Sequence, residues 1–421
     1  MNKLLGFEAV EIVNIAAGGM NSKVGEQVIH FNLYPDSFLP EGPDIIVNAF
    51  STNDMHINSM NEASFYNKTL SQSVFDICQS FIRKVLNLHC TSPPLLIFVD
   101  DYLGNEQERI NDLMVFHNSI SQLSSYYNVM SISYADVVRI MVYGDVEGEN
   151  WFSPSWLDKY KWTRQIHPGM GMHISMLWIM AFNALNAVVS FCNQEAFGHC
   201  LKDLHVCNDI FPSQGMTEEI QGKAKPFPRS IPPPLTDELR LQDITKLWRV
   251  EEENFQRECK SNHGNTCIFS WISTILLGSP KLKALEKKLH PVIFENDGWA
   301  VNEEGALGIS PEREVGSKLI FKLGSHDKEV RTIYVLALRS YGDDWEGSNA
   351  HFSVFRDNEI SQDPIYEEEI SGHHRAKISV TYTYKFDLKE NFIAKGMEGR
   401  LVVHHTAGKK FKITGLAFCS H

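Results

Sequence analysis

What the chain has little of narrows the field first. Its eight cysteines in 421 residues are too few and too scattered for a small disulfide scaffold. Neither the Cys192, Cys200 and Cys207 group nor the Cys259 and Cys267 pair has the C-x2-C spacing of a zinc site, and no metal site is read from the sequence. Basic residues are outnumbered, 39 Lys and Arg against 52 Asp and Glu, and the formal charge of −13 repels phosphate backbones and anionic lipid. Nucleic acid is therefore not an expected partner. Long apolar runs are missing too: the best, residues 173–191, contains His173, Asn183 and Asn186, so a buried core helix is expected there and no membrane span. No Walker or dinucleotide glycine motif occurs, and no cofactor is implied.

Compartment is left open. The residues after Met1 lack a basic n-region and apolar h-region, so a secreted or endomembrane location needs a signal peptide upstream of Met1. One sequon, Asn67-Lys68-Thr69, permits that route; the cysteines are then disulfides, and otherwise buried free thiols.

What is present divides into three parts. Residues 1–201 alternate short apolar strands with longer helical stretches, the pattern of a parallel α/β layer. Strands are expected at Glu11–Val13, Asp44–Phe50, Leu95–Val99 and Val129–Ile132, and helices over Ala63–Leu86 and Ile110–Tyr127. Residues 202–291 form a connector marked by Pro226, Pro228 and Pro232-Pro233-Pro234, with a helix opened by Thr236 and a short helix within Cys259–Leu277. Residues 292–421 read as a β-sandwich, with strands over Leu319–Leu323, Thr332–Leu338, His351–Phe355, Lys377–Phe386, Leu401–His405 and Phe411–Phe418.

Three short elements lie where a parallel sheet places its ligand, beyond strand ends. They are Asn14-Ile15-Ala16-Ala17-Gly18-Gly19-Met20-Asn21-Ser22, then Ser51-Thr52-Asn53-Asp54, then His167-Pro168 before an apolar helix. Read alone, Gly18-Gly19 is a tight turn, Asn53-Asp54 a helix cap, and His167 an ordinary residue before proline. Asp100-Asp101 reads as a strand-end cap or a metal ligand pair. His373-His374 and His404-His405 put neighbouring side chains on opposite faces of a strand, which argues against a shared metal.

In their order the three elements resemble the later blocks of the SGNH/GDSL hydrolase superfamily, as do Asp44–Asp54 and Val99-Asp100-Asp101-Tyr102, which look like its eukaryotic, algal-type members. The resemblance implies a flavodoxin-like three-layer α/β fold and hydrolysis of an ester, with an acylated carbohydrate or small molecule as substrate. It assigns the Gly19 N–H and the Asn53 amide to an oxyanion hole and His167 to the general base. It also implies that the C-terminal sandwich is an accessory domain.

Departures from the pattern shape the functional expectation. Ser51 stands where the family has glycine, and Arg164 stands where the acid that orients the base belongs, so Asp158, Asp145 or a backbone carbonyl must substitute. The Gly-Asp-Ser block that carries the nucleophile is absent from the chain. Loss of a serine nucleophile costs about 10⁶ in turnover. The family's first strand lies centrally in its sheet, and its loss leaves buried backbone groups unpaired at about 1–3 kcal/mol each. The expectation is therefore an α/β domain incomplete at its N-terminus. It is an ester hydrolase if the native chain extends upstream, and otherwise a non-catalytic carbohydrate- or ligand-binding homologue.

Overall fold

A computed structural model describes residues 11–16, 18–31, 33, 43–59, 70–88, 94–100, 110–134, 136, 173–186, 234–235, 267–273, 281–303, 306–313, 315–324, 328–356, 363–374 and 379–420. His167, Asp158, Asp145, Arg164, Asp101 and the sequon lie outside these residues.

The N-terminal half contains helix α1 (Ser22–His30), strand β1 (Ile45–Asn48), helices α2 (Ser51–Ser59) and α3 (Leu70–Leu86), strand β2 (Leu95–Asp100), helix α4 (Ile110–Tyr127) and strand β3 (Met130–Ser133). A further helix, α5, covers 173–186. The three strands form a parallel sheet in the order β1-β2-β3, with Ile45 opposite Leu95 and Ile97 opposite Met130. Helices join them, as parallel pairing requires. On one face, Leu96 and Phe98 pack with Val74, Phe75, Phe81 and Ile82 of α3 and Phe116, Ile120 and Leu123 of α4. On the other, Ile97, Val99 and Ile132 lie under Ile179 and Met180 of α5.

Two sequence expectations change here. Residues 11–16 are not a strand, and Ile12 is 85% exposed, because no neighbouring described strand offers the segment a ladder. Helix α5 exists but buries only one stripe; Ile179 and Met180 face the sheet, while Leu177 and Trp178 are exposed, with no described element packed over them. Among the described strands β1 is at the sheet edge, and Ile45 and Val47 are 54% and 46% exposed. No described helix is long and apolar enough to cross a membrane.

The C-terminal half is a sandwich of antiparallel sheets. It comprises β4 (Cys267–Ile272), helix α6 (Lys281–Leu289), β5 (Ile293–Asp297), β6 (Trp299–Asn302), β7 (Gly308–Pro311), β8 (Lys318–Lys322), β9 (Thr332–Arg339), β10 (Asn349–Arg356), β11 (Tyr366–Ser371), β12 (Val380–Asp387), β13 (Gly399–Ala407) and β14 (Lys412–Cys419). One sheet has five strands in the order β11-β10-β13-β8-β5; the other has six, β12-β9-β14-β7-β6, with β4 also on β14. Their inner faces share one core in which Phe321, Phe352, Phe386, Phe411 and Phe418 are fully buried. Period-2 alternation builds it: Leu401 and Val403 point in while Arg400 and His404 point out.

The helix expected within Cys259–Leu277 is, over Cys267–Ile272, strand β4, antiparallel to β14. Its Cys267-Ile268-Phe269-Ser270-Trp271-Ile272 run is rich in β-branched and aromatic side chains, and β14 supplies a partner edge. The sandwich thus draws β4 and α6 from the stretch read as connector. Cys267 forms a disulfide with Cys419 on β14, across 152 residues. Further back in that stretch, Leu235 docks on the α/β core: its N–H donates to Gln79 Oε1 (2.7 Å), which also accepts from the Tyr127 hydroxyl (2.7 Å).

Helix α1 joins the two halves. Val24, Val28 and Phe31, with Met20 before them, pack on the outer face of the six-stranded sheet against Ile272, Leu336, Ala417 and the Cys267–Cys419 pair. Its other side meets α3, where a Cβ on Gly25 would lie 2.9 Å from the Phe81 ring and 3.1 Å from Phe50. Only glycine lets the two helices approach this closely. Strand β14 is consequently buried on both faces along its whole length.

His30 ends α1 in the same seam. Burial, with Lys84 second, lowers its pKa from 6.5 to about 4, and its Nδ1 accepts from Lys84 Nζ at 3.1 Å. The folded state holds this imidazole neutral, whereas the unfolded chain protonates it below pH 6.5. Its contribution to stability is therefore complete above pH 6.5 and is lost as pH falls toward 4. Thermal melts of wild type between pH 7.5 and 4.5 should show Tm falling over this window, with a shallower fall in His30→Gln.

Candidate functional site

Two of the three motif elements meet. The glycine turn precedes α1, and Ser51–Asp54 opens α2 after β1. Asn21 is the N-cap of α1: its Oδ1 accepts from Val24 N (2.9 Å), and its Nδ2 donates to the Thr381 carbonyl on β12 (3.0 Å). Asp54 takes both donors of Ser22, the backbone N–H at 2.7 Å and Oγ at 2.6 Å, and Asn48 Nδ2 donates to the same Oγ at 2.9 Å. All four polar residues are buried. A carboxylate beside the first N–H of a helix is stabilised by both the hydrogen bond and the helix dipole. The buried Cys78 thiol is hydrogen-bonded to Ser22, and burial, then the Asp54 charge, raises its pKa well above the ordinary value. It stays protonated and is not a nucleophile at neutral pH.

Gly19 and Asn53 approach one another through Met20. The Asn53 side-chain amide donates to the Met20 carbonyl at 2.5 Å, one residue along from Gly19. Gly19 has φ +78°, and its carbonyl accepts from Thr381 N at 3.0 Å. A Cβ there would lie 3.1 Å from the Ser379 carbonyl and 3.3 Å from Leu338 Cδ1. The positive φ and the close approach of the sandwich account for glycine at this position without a substrate. His167 and its candidate partners Asp158 and Asp145 lie outside the described residues.

A second polar group stands at the strand ends. His117 of α4 has its Nδ1 3.1 Å from Asp136 Oδ2, just past β3, and 3.9 Å from Asp100 Oδ2, the last residue of β2. Among the described residues no set of three ligating side chains is placed to hold a metal ion.

The sandwich presents a different kind of surface at the β9–β10 turn. Tyr341 is 44% exposed, Trp345 is half-buried, and Asp343, Asp344 and Glu346 are exposed. The turn closes on itself through Trp345 N and Glu346 N to the Gly342 carbonyl (2.9 and 3.1 Å) and Ser348 N to the Trp345 carbonyl (3.1 Å). Its flanks are fixed by Ser340 N to Gly372 O (2.9 Å), Gly372 N to Ser348 O (2.8 Å) and Ser348 Oγ to the Lys410 carbonyl. Lys410 Nζ pairs with Asp344 Oδ2 at 3.2 Å. The turn therefore holds its aromatic rings and carboxylates on a fixed backbone. Sequence reasoning passed over it. The Tyr341-Gly342-Asp343-Asp344-Trp345 string reads as a turn, but the exposure of its rings depends on strands distant in sequence.

No protein-family model matches the chain, and no curated protein matches it. Solved structures align with about a third of it. They include a family 35 carbohydrate-binding module of Abf62 from Cellvibrio japonicus (10% identity, TM-score 0.22, covering 30% of this chain and 84% of that one). The K1 cleaved adhesin domain of Lys-gingipain from Porphyromonas gingivalis W83 (9%, 0.22, 30% and 85%) is another. A third is the C-terminal family 6 module of LamC, a marine laminarinase from Zobellia galactanivorans (11%, 0.21, 30% and 92%). At these TM-scores the similarity carries no function to this chain, and the sandwich rests on its own strand order and shared core.

Proposed function

We propose that this chain is a non-catalytic carbohydrate-binding protein whose sandwich makes the contact through the turn from Tyr341 to Ser348. The observation that carries this reading is the turn: an exposed phenol ring and a half-buried indole beside three exposed carboxylates, on a backbone pinned at both ends. A pyranose ring has an apolar C–H face and a rim of hydroxyls. Tyr341 offers a flat apolar partner to the first, and Asp343 a strong acceptor for the second. A net charge of −13 also favours neutral ligands over polyanions. Binding without turnover is supported by the absence of Gly-Asp-Ser from the sequence and by the use of the Asn53 amide on Met20.

The test is equilibrium binding of the full chain to neutral oligosaccharides, with Tyr341→Ala and Asp343→Ala beside wild type. Loss of one stacking ring or one charged hydrogen bond should weaken affinity by roughly 1–3 kcal/mol, about 5- to 150-fold, with Tm unchanged. Binding that neither substitution alters would place the contact elsewhere.

A flavodoxin-like SGNH domain with ester hydrolase activity is the second reading. It is favoured by the meeting of the Gly19 turn with Asn53, and it assigns the base to His167 and the substrate to an acylated carbohydrate. A serine-reactive fluorophosphonate separates the two. No labelling is expected of this chain, and labelling that His167→Ala abolishes would reverse their order.

A further inference from the structure

Helix α5 is apolar on every side. Residues 173–186 contain no Asp, Glu, Lys or Arg, and while Ile179 and Met180 pack on the sheet, the opposite side carries Ile174, Leu177, Trp178, Phe182 and Leu185. Of these, Leu177, Trp178, Phe182 and Leu185 are 65%, 72%, 65% and 60% exposed. Strand β1 prolongs the surface. Ile45 stands opposite Leu95 and Val47 opposite Ile97, which places them on the face of the sheet that α5 partly covers, and Ile45, Val47 and Leu95 are all exposed there. Neither the turn at Tyr341 nor the Gly19 loop uses these residues.

We propose that this face is the interface of a homodimer, in which α5 and the β1 edge of one chain pack on the same elements of a second copy across a two-fold axis. A helix apolar all round belongs in an interior, and among the described residues nothing lies over the outer side of α5. The exposed apolar side chains of α5, β1 and Leu95 together offer roughly 1,000 Å², above the largest patch of a typical monomer, about 300–600 Å², and enough for the ~800 Å² that a stable interface takes from each partner. Charge selects the occupant. Two copies with a formal charge of −13 each repel one another, and they meet best through a surface that carries none of that charge, as this one does. Anionic lipid is repelled by the same charge. The surface is also complementary to itself: Ala181, exposed one turn from both Leu177 and Leu185, leaves a hole on the helix that a leucine or the indole of the second copy fills. Trp178 lies near the middle of the exposed side, where a large aromatic anchor contributes most.

The experiment is sedimentation velocity of the full chain over about 1–100 µM, where a dimer is expected at the upper end and dissociates on dilution. Trp178→Ala should raise the dissociation constant about 30-fold or more. Trp178→Glu and Leu185→Glu each place a like charge on both sides of the axis and should leave only monomer. All three variants should keep the wild-type far-UV circular dichroism, since these side chains face away from the sheet, and Val315→Glu, at an exposed apolar residue of the sandwich, should leave the dimer intact. A wild-type monomer at the highest concentration, or a dimer that survives both glutamate substitutions, overturns the proposal. A monomer that sediments with phosphatidylcholine vesicles, and loses that property in Trp178→Glu, overturns it in favour of a lipid surface.

Discussion

Removing the Cys267–Cys419 bond should lower the unfolding free energy by about 5 kcal/mol on the chain-entropy account, because it closes a loop of 152 residues. Few other single changes should cost as much. The bond staples strand β4 to β14, and both cysteines belong to the apolar cluster that receives Met20, Val24, Val28 and Phe31. Its loss should therefore loosen the seat of α1 as well as an edge strand. Urea unfolding of the oxidised protein beside Cys267→Ala/Cys419→Ala gives the comparison, and a change below about 1 kcal/mol would mean that the cross-link constrains little. Intact mass before and after reduction tests the bond directly. Among the described residues, the cysteines include both this disulfide and the buried free thiol of Cys78.

Asp54→Ala should be the most damaging substitution in the N-terminal half, at about 3–4 kcal/mol. The carboxylate accepts both the N–H and the hydroxyl of Ser22 inside a buried cluster, and truncation leaves two donors without an acceptor. Asp54→Asn keeps one acceptor oxygen and should cost about half as much. Denaturant unfolding of both variants gives the order. At a permissive temperature each should retain oligosaccharide affinity, because Asp54 supports α1 and stands apart from the binding turn. Equal destabilisation by both substitutions would shift the weight from hydrogen bonding to charge at the helix terminus.

Helix α4 and strand β2 were legible in the sequence because each is governed by its own pattern, helical apolar spacing in one and an unbroken apolar run in the other. The sandwich was legible from alternation at β9, β10 and β13. What escaped depends on neighbours remote in sequence. Strand β11, Tyr366-Glu367-Glu368-Glu369-Ile370-Ser371, contains three glutamates and reads as polar. It pairs as an edge strand because Glu367 and Glu369 face solvent while Glu368 accepts from the Tyr366 hydroxyl. Strand β4 was read as part of a helix since nothing local reveals that β14 awaits a partner. The strand read at Glu11–Val13 failed for the converse reason: its composition suits a strand, but no described edge receives it. At the site, the structure brings Asn53 to the Met20 carbonyl beside Gly19. Their hydrogen bonds to Met20 and Thr381 could not be foreseen, because the sandwich strand that holds the turn lies some 360 residues away.

The central claim is that the sandwich turn, and not the Gly19 turn and Asn53 of the α/β half, is where a ligand sits. Hydrogen–deuterium exchange with and without a bound neutral oligosaccharide tests it most directly. The account predicts slowed exchange across 341–348, with 18–22 and 51–54 unchanged. Slowed exchange at 18–22 and 51–54, with none at 341–348, would contradict it and return the α/β half to the centre of the function.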